Sequence, residues 1–586
     1  MNYALDTAHE QIQQLLEAAT GSSSFEMKTP PPNVDADIAV PMFRLAKEKN
    51  ENPAALAQRL AGGLTLDGTL LSSATVTGGF LNFKLAEGPF LDRLFADFRE
   101  RGEDYGASRE GEGKTVIVDF SSPNIAKPFS VGHLRSTVIG HSIVRIYRFL
   151  GYEVVGDNHI GDWGTQFGKL MLAFDLWGDR DTVAANPIRE LLDLYVRYHE
   201  EAESDPNLDE QARSWFKRLE EGDPRAKETW TWFRDVSWQE FDRIYRLLGV
   251  EFEEVLGESF YNDRLDEVVE LAFGSGLAQW GEIEARGGQD DGDAGPRAME
   301  KVALIHLEEH GIETPLLIQK SDGTSLYATR DLATIRHRIE TWHPEILIYV
   351  VGGEQKLYFQ QVFKAAELLG LEAHCVHVPF GLIRLPKGKM STRKGRVIFL
   401  EDVLEEAVRR AEAVLQERDL SDEEKREIAR IVGIGAVKYA DLSQTRTKDV
   451  LFDWEKMLNM QGDSAPYLQY AYVRIRSILR KAAAEPEERA SPDPRSLGQP
   501  QELALVKTLA GFPQTVRAAA TGYTPHVIAN YLISLARDFS SFYNLVPVLK
   551  AQTPELAATR LELCRRTAQV LKKGLDLLGI ECPERM

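Results

Sequence analysis

Two short segments of the chain carry residues suited to handling phosphate. The first is Ser121 to His133, SSPNIAKPFSVGH. Its turn residues follow a short apolar run, Gly132 allows close backbone approach to a ligand, and His133 opens a helical pattern. A helix start offers free amides and the positive end of the dipole, and both favour a phosphate group. His133 can donate a hydrogen bond to charge developing on an α-phosphate, and Lys127 adds a mobile cation. A Gly-His pair alone is more often a cap or a packing pair than a catalytic one. The second segment is Lys389 to Gly395, KMSTRKG, a basic loop bounded by Gly388 and Gly395. Such a loop can swing over a triphosphate and neutralise a leaving pyrophosphate. A solvated basic turn is the plain alternative.

The elements that must position these segments follow from hydrophobic patterning. Thr115 to Phe120 (TVIVDF) reads as a buried parallel strand. A helix is predicted from about Gly132 through Leu150, closed by Gly151, with the next strand starting at Glu153 to Val155. Strand, loop, helix, strand is the unit of a doubly wound nucleotide-binding sheet. Residues 170–300 show acidic helical patterns with Trp215, Trp230, Trp232 and Trp238, and a glycine-rich acidic loop from Gly287 to Gly295. They are predicted to be a helical insertion. The sheet is expected to resume near Leu316 and to include Ile346 to Val351.

Residues 1–110 read as a small α/β unit. Helical spacing covers Ile38 to Leu45 and Ala54 to Leu60, and a strand pair over Thr75 to Leu85 breaks at Gly78–Gly79. From Leu400 onward the pattern is helical, and residues 455–586 read as a bundle, for example Tyr467 to Lys481 and Ala558 to Leu578. A Pro-rich charged link, Glu485 to Pro500, separates two of its helices. The expected architecture is therefore α/β: a Rossmann-type parallel-sheet catalytic domain with insertions (111–385), a small N-terminal α/β domain (1–110), connecting helices with the mobile loop (386–454) and a C-terminal all-α bundle (455–586).

Composition narrows the classes of function. The 586 residues suit several ordinary globular domains, and no run approaches the roughly 20 apolar residues of a membrane helix. Met1 to Glu10 lacks the basic-then-apolar start of a secretory signal. Cys375, Cys564 and Cys582 are far apart with no CxxC, so neither a disulfide framework nor a cysteine zinc site is expected, and a reducing cytoplasm fits. A net charge of −21 argues against nucleic-acid binding over the whole surface. Residues 465–586, however, hold 16 Lys and Arg against 11 Asp and Glu. One localised RNA contact and chance variation both fit that balance.

SVGH and KMSTRKG resemble the two nucleotide motifs of class I aminoacyl-tRNA synthetases, usually His-small-Gly-His and Lys-Met-Ser-Lys-Ser. Ser130 stands at the first histidine and Thr392 at the second lysine. Lys127 or Lys394 could supply the missing cation, with Lys127 favoured. The wider sequence, from about residue 30 to Met586, resembles arginyl-tRNA synthetases. The resemblance is carried by DFSSPNIAKPFSVGHLRST (119–137), GDWGTQFGKL (161–170), SLYATRDLAT (325–334), GGEQKLYFQQVFKAA (352–366), VKYADLSQTR (437–446) and APYLQYAYVRIRSIL (465–479). It implies activation of L-arginine by ATP, with Mg²⁺ on the nucleotide, and transfer to the terminal adenosine of tRNA(Arg) by a cytoplasmic monomer with no membrane attachment. It also implies tRNA-dependent activation, and tRNA outer-corner contact by the N-terminal unit through residues 35–57.

Carried over residue by residue, the resemblance implies catalytic roles for Lys127, His133 and Lys389. ATP contacts fall on Ser130, Gly132, His133, Lys389, Met390 and Ser391, with no metal held by the protein itself. The arginine pocket falls on Asp119, Asn124, Tyr327, Asp331 and Gln355, and tRNA contacts on Tyr470, Arg474, Tyr543 and Met586. The chemistry agrees: a guanidinium is planar, permanently charged and carries five donors, so it needs acceptors in its plane and is best bound by carboxylates. Asp119 stands where the family has glutamate, a methylene shorter, a reach that suits the α-amino group as well as the guanidinium. Read without the resemblance, Asp331 could instead pair with Arg330, and Tyr327 could be a core aromatic. A synthetase for another amino acid, such as cysteine or glutamine, and an RNA-binding relative without catalysis are the rival functions; the zinc-ligand spacing expected of the cysteine enzyme is absent. Tyr467, Tyr470, Tyr472, Arg474 and Arg476 share one predicted helix, half of whose stripe is expected to be core.

Overall fold

A computed structural model describes residues 2–31, 33–284, 299–384, 398–416, 419–484 and 490–586. The KMSTRKG segment, with Lys389, Met390 and Ser391, lies outside these described residues, as does Gly287 to Gly295.

The N-terminal unit packs helices over a three-stranded antiparallel sheet of β1 (Ile38–Pro41), β2 (Leu71–Thr77) and β3 (Phe80–Leu85), in the order β1-β3-β2. The expected helix over 38–45 is half right. Ile38 to Pro41 pairs with Phe80 to Phe83, and the helix is Phe43–Lys49. Its apolar run satisfies either period, and pairing with β3 decides the outcome. The strand pair across Gly78–Gly79 forms as predicted. The next helix, Pro53–Gly63, starts where Asn52 accepts bonds from the amides of Ala54 and Ala55 and proline occupies the first turn.

In the catalytic unit, β4 (Thr115–Asp119) and β5 (Glu153–Asp157) flank the helix Val131–Phe149 in sequence. Helices from Thr165 to Leu248 follow, the longest being Pro224–Leu248. The remainder of the insertion is not helical throughout: β6 (Ala278–Glu284), β7 (Met299–Ile305) and β8 (Leu316–Lys320) form a separate antiparallel sheet. The strand at Leu316 thus belongs to this small sheet and not to the parallel one, because its ladder runs along β7. The helix Tyr327–Trp342 then leads to β9 (Ile346–Tyr349), and Lys356–Leu368 to β10 (His374–His377). The parallel sheet has the order β10-β9-β4-β5. The chain turns to one side of β4 through β5 and to the other through β9. The crevice at their carboxyl ends is the usual ligand site of such sheets.

β4 shows why this sheet is covered on both faces. Val116 and Val118 enter one apolar cluster with Leu134 and Val138 of the helix Val131–Phe149. Ile117 enters a second cluster with Leu332, Ala333 and Phe359. All three strand residues are at most 1% exposed, a burial worth roughly 1.5–3 kcal/mol each.

Among the described residues, seven longer helices run from Leu400 onward. The bundle docks directly on the helix Val131–Phe149: Ser142 Oγ donates to the Leu577 carbonyl at 2.8 Å, and Arg145 Nε to that of Asp576 at 2.6 Å. The short strands β11 (Ile383–Arg384) and β12 (Val450–Leu451) pair in parallel beside the sheet.

Candidate active site

The loop leaving β4 adopts a conformation its residues disfavour. Ser121, Ser122 and Ala126 have φ of 73°, 49° and 60°, in the left-handed region that non-glycine residues avoid. Ser121 N donates to Ser136 Oγ at 2.9 Å and Ser122 N to Asn158 Oδ1 at 3.1 Å. Between them and the helix start stand Asn124, whose strand bridge to Gly161 sets its side chain against that glycine, and Lys127. A Cβ on Gly161 would lie 2.3 Å from Asn124 Oδ1, so the GDWG turn is shaped to admit this amide.

Ser130 is the residue before the first helical turn, and Gly132 is exposed within that turn. The Ser130 amide donates to His133 Nδ1 at 3.0 Å. An amide can only donate, so Nδ1 carries no proton and the neutral ring bears its proton on Nε2. Burial, helped by the Lys127 charge, pushes the imidazole down to about 4, so the ring is neutral at physiological pH. Burial also lowers the Lys127 ammonium. Val131 N donates to the Ile398 carbonyl at 3.1 Å and Leu400 N to that of Phe129 at 2.9 Å. The chain emerging from the KMSTRKG segment is thereby strapped to the first motif.

The acids divide into two groups. Asp119 is 5% exposed, and both of its oxygens have partners: Ser122 Oγ donates at 3.0 Å and Arg338 Nη2 at 2.6 Å. Arg338, fully buried, also donates to Asp157 at 2.6 Å and lies over the Tyr349 ring, 5.2 Å from its centroid. The sheet register explains the cluster, because Asp119 stands opposite Asp157 on one side and Tyr349 on the other. Asp331 is different. It turns from Arg330, whose guanidinium binds the Glu258 carbonyl and Asn262 Oδ1, and takes a hydrogen bond from the Tyr358 hydroxyl. Burial raises its carboxyl above the ordinary range.

Glu258 was not singled out by sequence reasoning. It is partly buried and raised by that burial, within electrostatic reach of Asp331. Tyr327 and Lys127 feel its charge. It comes from the insertion, among the chain's 90 acids, and no spacing marks it. Arg338 carried a usable signal, seven residues after Asp331 and so two turns along the same helix face. Tyr327 opens that helix and is 68% exposed, which rules out the core-aromatic alternative. It borders a cleft of about 740 Å³ with Trp163, Trp230 and Arg330. Gln355 is exposed at the end of the turn Gly353–Gln355.

In the bundle, Tyr470 is exposed and Tyr472 is buried on the helix Ala465–Ala484. Arg474 lies over the Tyr543 ring at 4.4 Å. Met586 is partly buried against the cluster of Ala411, Leu415 and Ile428. Structure thus brings Arg474 and Tyr543 together.

The comparisons with known proteins agree along the whole chain. The family model described as tRNA synthetases class I (R), catalytic domain, matches residues 100–454. The DALR anticodon binding domain matches 468–586, and the arginyl tRNA synthetase N terminal domain matches 6–85. The arginine–tRNA ligase of Clostridium perfringens is 41% identical over 584 residues, covering 99% of this chain and 98% of that protein. That of Chloroflexus aurantiacus is 41% identical over 595 residues, covering both proteins completely. Among solved structures, Thermus thermophilus arginyl-tRNA synthetase superposes with a TM-score of 0.80 at 27% identity, covering 98% of this chain and 99% of the other. The Plasmodium falciparum enzyme gives 0.78 at 25%, with the same coverage. By its three matching domain models and its full-length relatives, the chain belongs to the arginyl-tRNA synthetases, class I ligases that charge tRNA with arginine.

Proposed function

We propose that the guanidinium of arginine is held between Asp331 and Glu258, with Tyr327 and Gln355 closing the pocket and Asn124 and Asp119 toward the amino-acid backbone. The observation that carries this reading is the pair of partly buried carboxylates, each raised by burial, with the Asp331 charge raising Glu258 further. Two such acids repel in an empty site, and a permanent cation between them relieves both the repulsion and the desolvation. Asp119 is already bound to Arg338 and Ser122. Its spare lone pairs suit the α-amino group better than a second guanidinium.

ATP lies with its phosphates at the start of the helix Val131–Phe149, near Ser130, Gly132 and Lys127. The arginine carboxylate attacks the α-phosphorus in line, the bond to the pyrophosphate oxygen breaks, and arginyl-adenylate forms. His133, protonated on Nε2, donates to the α-phosphate oxygen as charge develops there. Lys127 supplies the cation opposite Ser130, and Lys389, Met390 and Ser391 bind the nucleotide from the second motif. Mg²⁺ enters on the ATP phosphates, since the groups around this helix start are donors and cations. Tyr470, Arg474, Tyr543 and Met586 contact the anticodon region, and stacking of Arg474 on Tyr543 supports that use. The enzyme works as a cytoplasmic monomer; among the described residues no helix is long and apolar enough to cross a membrane.

The test is ATP–pyrophosphate exchange with each amino acid, with and without tRNA(Arg). Exchange with arginine alone among the amino acids is expected. Exchange that survives replacement of both Asp331 and Glu258 by alanine, with the arginine KM unchanged, would remove them from the pocket.

A further inference from the structure

The strained loop after β4 needs something to hold it, and the insertion helix Pro224–Leu248 reaches it twice. Tyr245 Oη lies 2.7 Å from Ser121 Oγ and 3.0 Å from Asn158 Nδ2. Two turns earlier on that helix, Ser237 Oγ accepts a bond from Ala126 N at 3.2 Å. Both side chains are buried: Ser237 is 0% exposed and Tyr245 1%. The two contacts fall on the first and last of the three left-handed residues, and Asn158, held by Tyr245, binds the second.

The hydrogen atoms of this network have one arrangement. Thr137 Oγ1 donates to the His133 carbonyl at 2.8 Å, so its single proton is used there. Ser121 Oγ, 2.8 Å from Thr137 Oγ1, must then donate to it. Tyr245 must in turn donate to Ser121 while accepting from Asn158. A directed chain therefore runs from Asn158 through Tyr245, Ser121 and Thr137 to the backbone of His133, and every link but the last, which is part-buried, is buried.

We infer that Tyr245 and Ser237 are positioning residues: they template the 121–126 loop, and through it the placement of Asn124 and Lys127 against substrate. Neither side chain is one of the arginine- or ATP-binding groups proposed above. The physical need is plain. Three residues in the left-handed region are each strained and persist only where the surroundings over-determine them. The inference rests on the reading of Asn124 as an arginine-binding residue.

The test is steady-state aminoacylation of tRNA(Arg) with arginine varied, together with active-site titration and thermal melting, on Tyr245→Phe, Ser237→Ala and Asn124→Ala. Tyr245→Phe leaves Asn158 Nδ2 and Ser121 Oγ each short of a partner, and the arginine KM is expected to rise about 5- to 50-fold with the titrated site count unchanged. Ser237→Ala is expected to give a smaller rise in the same direction. In that background Ala126→Gly should recover at least half of the loss, because glycine takes φ near 60° without penalty and the exchange removes only a methyl group. An arginine KM within twofold of wild type in both positioning variants overturns the inference. So does a loss confined to melting temperature and active fraction, or a Ser237→Ala defect that Ala126→Gly does not relieve. An unchanged KM in Asn124→Ala would instead reject the reading of Asn124, which keeps the two failures distinct.

Discussion

Replacing Asp331 with asparagine isolates one charge of the proposed arginine pocket. Asparagine has nearly the same shape and keeps an acceptor for the Tyr358 hydroxyl, so the local packing is retained. What disappears is one charge-assisted interaction with the guanidinium. Charged hydrogen bonds contribute about 1.5–3 kcal/mol, and two unit charges about 4 Å apart near a protein surface interact by about 4 kcal/mol. Glu258 remains beside the site and retains part of the attraction. The expected cost is therefore about 2–4 kcal/mol, or a rise in arginine KM of ~30- to 1,000-fold. The KM for ATP should move less than about threefold, since the proposed phosphate site is at a different helix start, that of Val131–Phe149. Stability provides an internal control. Burial raises the Asp331 carboxyl, so its ionised form is disfavoured in the empty enzyme, and a neutral residue there should leave the melting temperature equal or higher. The assay is aminoacylation with arginine and ATP titrated separately, beside a thermal melt. An arginine KM shifted less than about fivefold, or ATP and arginine KM values shifted together, would refute the pocket.

Other consequences follow from the same geometry. Asp331 and Glu258 hold protons to higher pH in the empty site than ordinary carboxyls do, and the guanidinium favours their ionised forms. Arginine affinity should therefore rise with pH across the acid range and binding should release protons, measurable by calorimetry in buffers of different ionisation enthalpy; proton uptake would contradict this. Because both folded values are raised, their contribution to stability is present at acid pH and lost as pH rises through them. His133→Ala should lower kcat by about 10²- to 10³-fold while moving arginine KM little, and the wild-type pH profile should show no inflection near 6.5 from this ring, which already titrates at about 4. Arg338→Met leaves Asp119 and Asp157 facing each other without their cation and should cost about 3–5 kcal/mol in urea unfolding. A loss below about 1 kcal/mol would mean the buried pair is not held as described.

The elements that carry the candidate site were legible in the residues themselves, because the signals are local. An apolar run with turn residues after it must be a covered strand, and a Gly-His pair at the start of a helical pattern must sit at its amino end. Tyr327 and Asp331, four residues apart, must share a helix face. Those facts survive any packing. The misreadings lie where local pattern is indifferent. Ile38 to Pro41 suits strand or helix until β3 offers a ladder, and Leu316 to Lys320 reads like a core strand although its partner is β7.

What only the tertiary structure decided is which charges meet. Asp119 is committed to Arg338 through a register that aligns it with Asp157 and Tyr349, 38 and 230 residues away in the chain. Glu258 comes within electrostatic reach of Asp331, and Tyr245 and Ser237 bond to the strained loop and its neighbours, because the insertion folds back over the carboxyl ends of the sheet. A sequence records hydrophobic period and turn chemistry within a few residues. Coulombic and hydrogen-bond partnerships between distant residues depend on strand register and helix packing, and these are set by the burial of whole faces.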